Sequence, residues 1–458
     1  MASAAILSLL QKLRAGSASK VFGLSVANAV FGLATATLLA RVMGPYNFGS
    51  YNFLLAVLAI VSFPIGTGLR QVVLRETAYA VARPDALHPY HTWLWAYRTA
   101  ALLCVVAAAI GIAWAAMTVG ITGNITVGIL LIVILFAVPL MHVGVGSVQG
   151  MGFVVTSQIP EYLIRPIGIL VIMGAIALVN ATRPLTLETA IAVYAVTCVI
   201  GAGAALWWLR TLSAKGLPDR PIDRSAAGAL NRRALVTAAV SFGMIQSVQL
   251  IMDNVDTVML GLLTSPTQIA HYRVASAIAT LASFAIIAVN TVISSEIARL
   301  HALGARDELQ KLIHMSTRVS ALISFASLIA ILVGGHLALL ILFGAEYGAA
   351  AVPLYILALG RFFASCFGPV ATVLSLTGHE RMTLAGLCAS ALCNVVLNPL
   401  LIPHFGAAGA AMASASSLMV WSIFLWVSLR RSTGFTTMFG PSTRNWLKNR
   451  PASLGDRV

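Results

Sequence analysis

The sequence predicts an all-α, polytopic membrane protein in which twelve transmembrane helices form two six-helix bundles. Of its 458 residues, 59% are hydrophobic and only 9% are charged, whereas an average soluble domain carries about 25% charged residues. The apolar residues are grouped in stretches close to the ~20 residues that a helix needs to cross a bilayer. Polar features of the first half recur 221 residues later, which indicates an internal repeat.

Twelve apolar stretches are each long enough to cross the membrane once. Residues 1–20, which precede them, combine leucines with Lys12 and Arg14 and are expected to form a short helix at the membrane surface. The first stretch lacks a small-residue cleavage site, so it is interpreted as a retained span. The predicted spans are residues 21–40, 51–70, 99–120, 127–149, 162–182, 189–209, 234–260, 274–295, 319–343, 349–375, 382–403 and 407–429.

The distribution of Lys and Arg predicts that both termini are cytoplasmic. An even number of spans places both termini on one side, and that side with its loops holds 25 of the 29 basic residues. The opposite loops hold Arg41, Arg183 and Arg273, and Arg361 lies inside the tenth span. Because basic loops are retained in the cytoplasm, the net charge of +15 reflects topology and contact with membrane lipids. No nucleic-acid partner is predicted.

The internal repeat divides the chain at its one long central hydrophilic connector. Tyr51 and Tyr272 occupy equivalent positions in the two copies. Because both halves begin and end on the same side, the repeat is parallel, with its axis along the membrane normal. The cleft between the halves is expected to be lined by the first, second, seventh and eighth spans. The predicted domains are an interfacial segment 1–20, a first bundle 21–210, a cytoplasmic linker 211–233, a second bundle 234–430 and a cytoplasmic tail 431–458.

The seventh span carries a polar seam formed by Gln246, Gln249, Asp253 and Asp256. Their spacing of three, four and three residues places all four on one face of a helix. Lipid does not tolerate such a face, and an ionisable residue at membrane depth is a default hypothesis for a transport pathway. The first span has the same spacing, with Asn28 at the position equivalent to Gln249. We therefore expect the seams to face the cleft, with Asn28, Gln246 and Gln249 contacting the substrate.

The sequence gives no support for an enzyme, a metal site or a cofactor. The five cysteines lie in apolar runs without CxxC spacing, and the nine histidines show no paired ligand spacing. No Gly-rich phosphate-binding loop with a Lys is present. No nucleophile is accompanied by a base and an orienting group. The expected protein is a transporter without a bound cofactor or metal.

Three strings carry a family resemblance. LARVMGPYNFGSY at residues 39–51 resembles a signature of the Wzx-type polysaccharide flippases, members of the multidrug/oligosaccharidyl-lipid/polysaccharide exporter superfamily. DTVMLG at 256–261 with HYRVA at 271–275 resembles the start of the second half of this family. NVVLNP at 394–399 with IPHFGAAGAA at 402–411 resembles its eleventh and twelfth helices. The twelve predicted helices depart from the lipid II flippase branch, which usually has fourteen.

The resemblance implies translocation of an undecaprenyl-diphosphate-linked oligosaccharide across the cytoplasmic (inner) membrane, for assembly of O-antigen or exopolysaccharide. A diphosphate requires Arg-type partners, and Arg70, Arg75, Arg273 and Arg361 are the candidates. Membrane anchoring equally explains Arg70, Arg75 and Arg273. Asp253 or Asp256 is hypothesised to carry a coupling proton. A polysaccharide polymerase and glycosyltransferases are possible protein partners.

Other readings remain open from the sequence. A cation-coupled multidrug exporter of the same superfamily would use the acidic seam as a counter-charge for cationic substrates. A lipid II flippase is a further alternative. A membrane scaffold for glycosyltransferases that transports nothing would tolerate Asp253→Asn and Arg361→Gln.

Overall fold

A computed structural model of the chain describes residues 17–83, 88–118, 124–179, 185–217, 232–281 and 284–437. Regular structure in these ranges is helical throughout, without a β-strand. Nine of the helices are long and apolar enough to cross a bilayer, and one of them, Gly23–Ala82, has 60 residues and is long enough for two crossings. The helices that correspond to the seventh and eighth predicted spans complete the set of twelve. The predicted fold class is confirmed.

The twelve spans are numbered α1 to α12 in chain order. α1 and α2 form one long helix that is bent at Gly44, where the backbone has φ 72° and ψ 168°. The spans are α1 and α2 (together Ser17–Ala82), α3 (Tyr90–Thr118), α4 (Ile125–Gly150), α5 (Val154–Val179), α6 (Leu187–Gly216), α7 (Arg232–Leu263), α8 (Pro266–Leu281 and Phe284–Ala302), α9 (Arg306–Leu342), α10 (Ala351–Ser365 and Val370–Leu376), α11 (Glu380–Phe405) and α12 (Ala407–Ser432).

Several spans begin earlier than predicted, and α5 and α10 also contain irregular turns. α5 begins at Val154, ahead of the predicted residue 162, and contains a π-helical turn at Pro160–Ile164. α10 is interrupted between Ser365 and Val370, where Gly368 adopts a φ of +73°. A side chain at Gly368 would also overlap Thr317 of α9. Glycine tolerates both the positive φ and the close contact with Thr317. The presence of Gly368 therefore explains the break in α10.

The ends of the predicted domains are covered only in part. α6 continues to Gly216 inside the predicted linker 211–233, and residues 218–231 lie outside the described ranges. Residues 1–16 of the interfacial segment and 438–458 of the tail also lie outside them. The predicted domain boundaries and the cytoplasmic location of the termini remain predictions.

Within the first bundle, α2 packs on α4 through glycines. A Cβ at Gly66 would overlap the ring of His142, and a Cβ at Gly146 would lie 2.5 Å from the carbonyl oxygen of Arg70. Small residues allow membrane helices to approach closely. This packing corrects one expectation. The α2 face that carries Ser62, Gly66 and Arg70 contacts α4 inside the bundle and does not line a cleft between the halves.

The two halves close against each other at the end of the molecule that carries Gly44. Tyr347 donates a hydrogen bond to the carbonyl of Ala40 at 3.0 Å, and Arg41 Nε donates to the carbonyl of Leu342 at 2.8 Å. A Cβ at Gly49 would overlap the carbonyl of Pro266. We call this surface the Gly44 end, and its contacts leave no space between the halves there.

At the opposite end, α2 and α7 remain in contact while α1 borders open space. Gly68 packs against the backbone of Ala239, and the Arg75 guanidinium lies 6.0 Å from the ring centroid of Phe242. Gly23 and Gly32 on α1, in contrast, have no atom within 4 Å of a Cβ placed on them. Gly23 and Gly32 are therefore at exposed positions of α1.

Candidate functional site

Asp256 of α7 is a hydrogen-bonded carboxylate that is buried inside the second bundle, with 4% of its surface exposed. Tyr272 Oη donates to its Oδ2 at 2.5 Å, and Ser414 Oγ donates to the same oxygen. Asn394 and Asn398 donate through Nδ2 to Oδ1 at 3.0 and 2.8 Å. Uncharged donors from α8, α11 and α12 thus surround one carboxylate.

This position of Asp256 corrects the expectation that it faces the gap between the halves. Polar side chains of α11 and α12 lie at the same level as the Asp256 carboxylate and bind it. The carboxylate is therefore directed into its own bundle. Asp253 lies one turn away on α7 and is exposed. Gln246 is also exposed, and the side chain of Gln249 lies outside the described structure. The predicted seam therefore divides into a buried part at Asp256 and an exposed part at Asp253.

Arg273 and Arg361 lie close to Asp253, on α8 and α10. Asp253 is near enough to attract both guanidinium groups. Arg273 Nε donates to Asn52 Oδ1 of the first bundle at 3.2 Å. Arg361 Nη2 donates to Thr280 Oγ1 at 3.1 Å. The structure thus brings together three of the predicted site residues, and Arg273 links the two halves.

Arg70 belongs to a different group of residues inside the first bundle. Its Nη1 lies 3.1 Å from Glu161 Oε2, and its Nη2 donates to Gln149 Oε1 at 3.3 Å and to Gln158 Oε1 at 3.4 Å. His142 Nε2 lies 3.8 Å from the other Glu161 oxygen. The π-helical turn of α5 positions Glu161 here, and such turns are frequent at functional sites.

Arg165 of α5 is the main site residue that the sequence did not identify. It lies near the beginning of the predicted span 162–182, where a basic residue is expected to mark the cytoplasmic end of a helix. The structure places it inside α5, directly after the π-helical turn. Its guanidinium lies 5.8 Å from the ring centroid of Tyr194. The Tyr194 ring contacts Tyr51 edge to face at 6.3 Å. The interior of the first bundle therefore holds the cation Arg165, whereas the interior of the second bundle holds the acid Asp256.

The remaining predicted residues stand apart from these groups. Arg75 is exposed and pairs with its neighbour Glu76 at 2.8 Å. Asn28 is half-buried on α1. Sequence patterns identified Asp253, Asp256, Arg273 and Arg361 but gave no signal for Glu161, His142 or Asn398. No group of three His, Cys, Asp or Glu side chains that could hold a metal occurs in the described parts of the chain.

Solved structures with the same fold define the class of protein. A multidrug resistance MATE family transporter of the MOP superfamily, in an inward-facing conformation, aligns with a TM-score of 0.70 and 13% identity over 89% of this chain and 96% of its own. The lipid II flippase MurJ, in an inward closed conformation, aligns with 0.67 and 13% over 89% and 87%. A MOP superfamily transporter from Pyrococcus furiosus aligns with 0.60 and 14% over 92% and 97%. The chain therefore has the two-lobed fold of these MOP superfamily transporters.

Family comparison then identifies the particular branch. The profile described as "Polysaccharide biosynthesis protein" matches residues 18–299, more than half of the chain, and the MatE profile matches residues 242–400. The chain belongs to the polysaccharide biosynthesis protein family. The resemblance to Wzx-type flippases of this superfamily is thereby confirmed, and the family and fold are those of transporters rather than enzymes. No curated protein matches the sequence.

Proposed function

We propose that the protein translocates a polyprenyl-diphosphate-linked oligosaccharide across the cytoplasmic membrane for surface polysaccharide assembly. The observation that carries this proposal is the group formed by Arg273, Arg361 and Asp253. Two guanidinium groups lie within electrostatic range of one carboxylate, and Arg273 and Arg361 also donate hydrogen bonds to the neutral side chains of Asn52 and Thr280. The excess positive charge at membrane depth suits a diphosphate, which guanidinium groups bind through paired hydrogen bonds.

The path of the substrate follows from the lipid character of its carrier. The prenyl tail stays in the hydrocarbon while the diphosphate and sugars cross between the halves. The hydrogen bonds that join the halves at the Gly44 end support a state that is closed there and admits substrate from the opposite end. With the orientation indicated by the basic loops, that end is cytoplasmic. Rocking of the halves would then open the Gly44 end to the outside.

We assign coupling to Asp256. In the described parts of the chain, the hydrogen bonds to this buried carboxylate all come from neutral donors, and burying a charge without an opposite charge is costly. Uptake of a proton or a small cation such as Na⁺ removes that cost. Hydroxyl and amide oxygens of Tyr272, Ser414 and Asn398 are oxygen ligands of the kind that Na⁺ accepts. Asp253, next to two arginines, is already compensated.

A transport assay tests the proposal. Proteoliposomes carrying the purified protein are supplied with an undecaprenyl-diphosphate-oligosaccharide labelled on its glycan, and exposure of the label on the opposite face is followed. Wild type is expected to transport, whereas Arg361→Gln is expected to lose most of the rate. Arg299→Gln is the matched control, because Arg299 is an exposed arginine paired with Glu296 at 2.6 Å. Equal rates for the two variants would contradict the proposed diphosphate site.

A multidrug exporter is the second candidate, favoured by the MatE profile over residues 242–400. In that case Asp253 would serve as the counter-charge for a cationic substrate. Asp253→Asn would then abolish drug efflux, whereas Arg361→Gln would preserve it. The flippase proposal expects no drug efflux in the wild type. Lipid II as the substrate is tested in the same liposomes by replacing the oligosaccharide lipid with lipid II.

A further inference from the structure

A cavity of about 280 Å³ lies inside the second bundle, between α8, α9, α10 and α12. It is separate from the Asp256 group, and none of the five residues of that group lines it. Arg361 is part of its wall. Because Arg361 also belongs to the Arg273 and Asp253 group, the cavity adjoins the proposed diphosphate site.

Three polar atoms in the wall of this cavity have no hydrogen-bond partner in the described structure. They are Asn290 Oδ1, Ser320 Oγ and Trp421 Nε1, and all three are buried. Buried polar groups in folded proteins are nearly always paired, because an unpaired group loses its bonds to water without replacement. Three such atoms around one cavity indicate that a polar ligand completes them.

The types of these atoms restrict the chemistry of the ligand. Trp421 Nε1 can only donate, Asn290 Oδ1 can only accept, and Ser320 Oγ can do either. A phosphate group only accepts, so it would leave Asn290 Oδ1 unmatched. A sugar hydroxyl both donates and accepts, and it satisfies all three. Phe367 and Leu418 provide apolar walls for the C–H faces of a sugar ring.

We propose that this cavity binds one sugar ring of the lipid-linked glycan, with the diphosphate held outside it by Arg273 and Arg361. This inference rests on the proposed function and names the part of the substrate that the second bundle recognises. Trp421, Ser320 and Asn290 contact the sugar hydroxyls. Arg361 lies at the boundary between the cavity and the Arg273 and Asp253 group.

Binding to the full-length protein in lipid nanodiscs tests the sugar site. Bare undecaprenyl diphosphate is compared with undecaprenyl diphosphate carrying glucose, galactose or N-acetylglucosamine, using native mass spectrometry. At least one sugar-bearing lipid is expected to bind about tenfold more tightly than the bare lipid, which corresponds to one or two added hydrogen bonds. Trp421→Phe keeps the ring but removes the donor, and it is expected to reduce that ratio about fivefold without affecting the bare lipid.

Trp426→Phe is the matched control. Trp426 lies on the same helix and its Nε1 is also buried without a partner, but it does not line the cavity. Ala364→Leu narrows the cavity without removing a polar group and should lower the same ratio. The proposal is overturned if the bare lipid binds and no sugar-bearing lipid binds more tightly, or if Trp421→Phe and Trp426→Phe give equal ratios. Failure of the bare lipid itself to bind would instead contradict the proposed function.

Discussion

Arg273 and Asn52 are hydrogen-bonded at 3.2 Å although they are 221 residues apart, which is the offset of the sequence repeat. Positions 52 and 273 are thus equivalent in the two copies, just as Tyr51 and Tyr272 are. Two equivalent positions can touch only next to the axis that relates them. The contact therefore places the axis of the repeat between α2 and α8. It also places a guanidinium group at the centre of the molecule.

Arg273→Gln is expected to lower the flipping rate about 100-fold, because the variant keeps a partner for Asn52 but removes a charge from the diphosphate site. Arg273→Lys should retain part of the rate, since lysine keeps the charge without the paired donors. The rates are measured in the proteoliposome assay. A rate for Arg273→Gln within twofold of the wild type would show that the residue only joins the halves.

Asp256→Asn is expected to lower the free energy of unfolding by about 2–3 kcal/mol, since the neutral amide replaces charge-assisted hydrogen bonds and turns one acceptor into a donor. It should also abolish the dependence of flipping on the coupling ion, measured by varying Na⁺ and pH on each side of the liposome. Asp253→Asn serves as the comparison because Asp253 is exposed. It should affect stability less and leave the ion dependence in place.

The Arg70 and Glu161 pair is expected to stabilise the first bundle. Both side chains are about 15% exposed, so Glu161→Leu leaves a buried guanidinium without its carboxylate and should cost about 2–4 kcal/mol of unfolding free energy. The double variant Arg70→Met with Glu161→Leu should recover part of this loss. Glu296→Gln breaks the exposed pair with Arg299 and should cost less than ~1 kcal/mol. Additive effects of the two buried substitutions would show that the pair is not coupled.

Gly49→Ala is expected to shift the protein towards a state that is open at the Gly44 end, because the added methyl group overlaps the carbonyl of Pro266. Gly32→Ala is the control, since it has open space beside it. Spin labels at the exposed residues Tyr46 and Leu262, in a background without the five native cysteines, report the distance between the halves. A longer distance in Gly49→Ala alone is the expected result, and identical distance distributions would argue against closure at this contact.

The sequence predicted the number of spans and several of the charged residues at membrane depth, because both depend on local composition. Asp256 and Arg273 stand out as charges inside or beside apolar stretches. The partners of these residues could not be predicted, since Asn394 and Asn398 meet Asp256 only after α7, α11 and α12 have packed.

Arg165 shows the limit of span prediction from hydropathy. Charged residues usually mark the ends of apolar stretches, and the predicted fifth span therefore placed this residue near its beginning. α5 instead begins at Val154 and carries Glu161 and Arg165 into the bundle. Arg70 pairs with Glu161, and the Arg165 guanidinium lies 5.8 Å from the Tyr194 ring centroid. Such pairing depends on tertiary contacts that no local pattern contains.

The bend at Gly44 leaves α1 and α2 joined by a single non-helical residue, with no flexible loop to absorb a change of angle. A change in the tilt of α1 therefore acts on α2 through this one residue. Across the ~30 Å of hydrocarbon, a rotation of only about 10° would displace the far tips by roughly 5 Å. Movement at this single glycine would thus turn a slight displacement beside the Gly44 end into a wide one on the other face of the membrane.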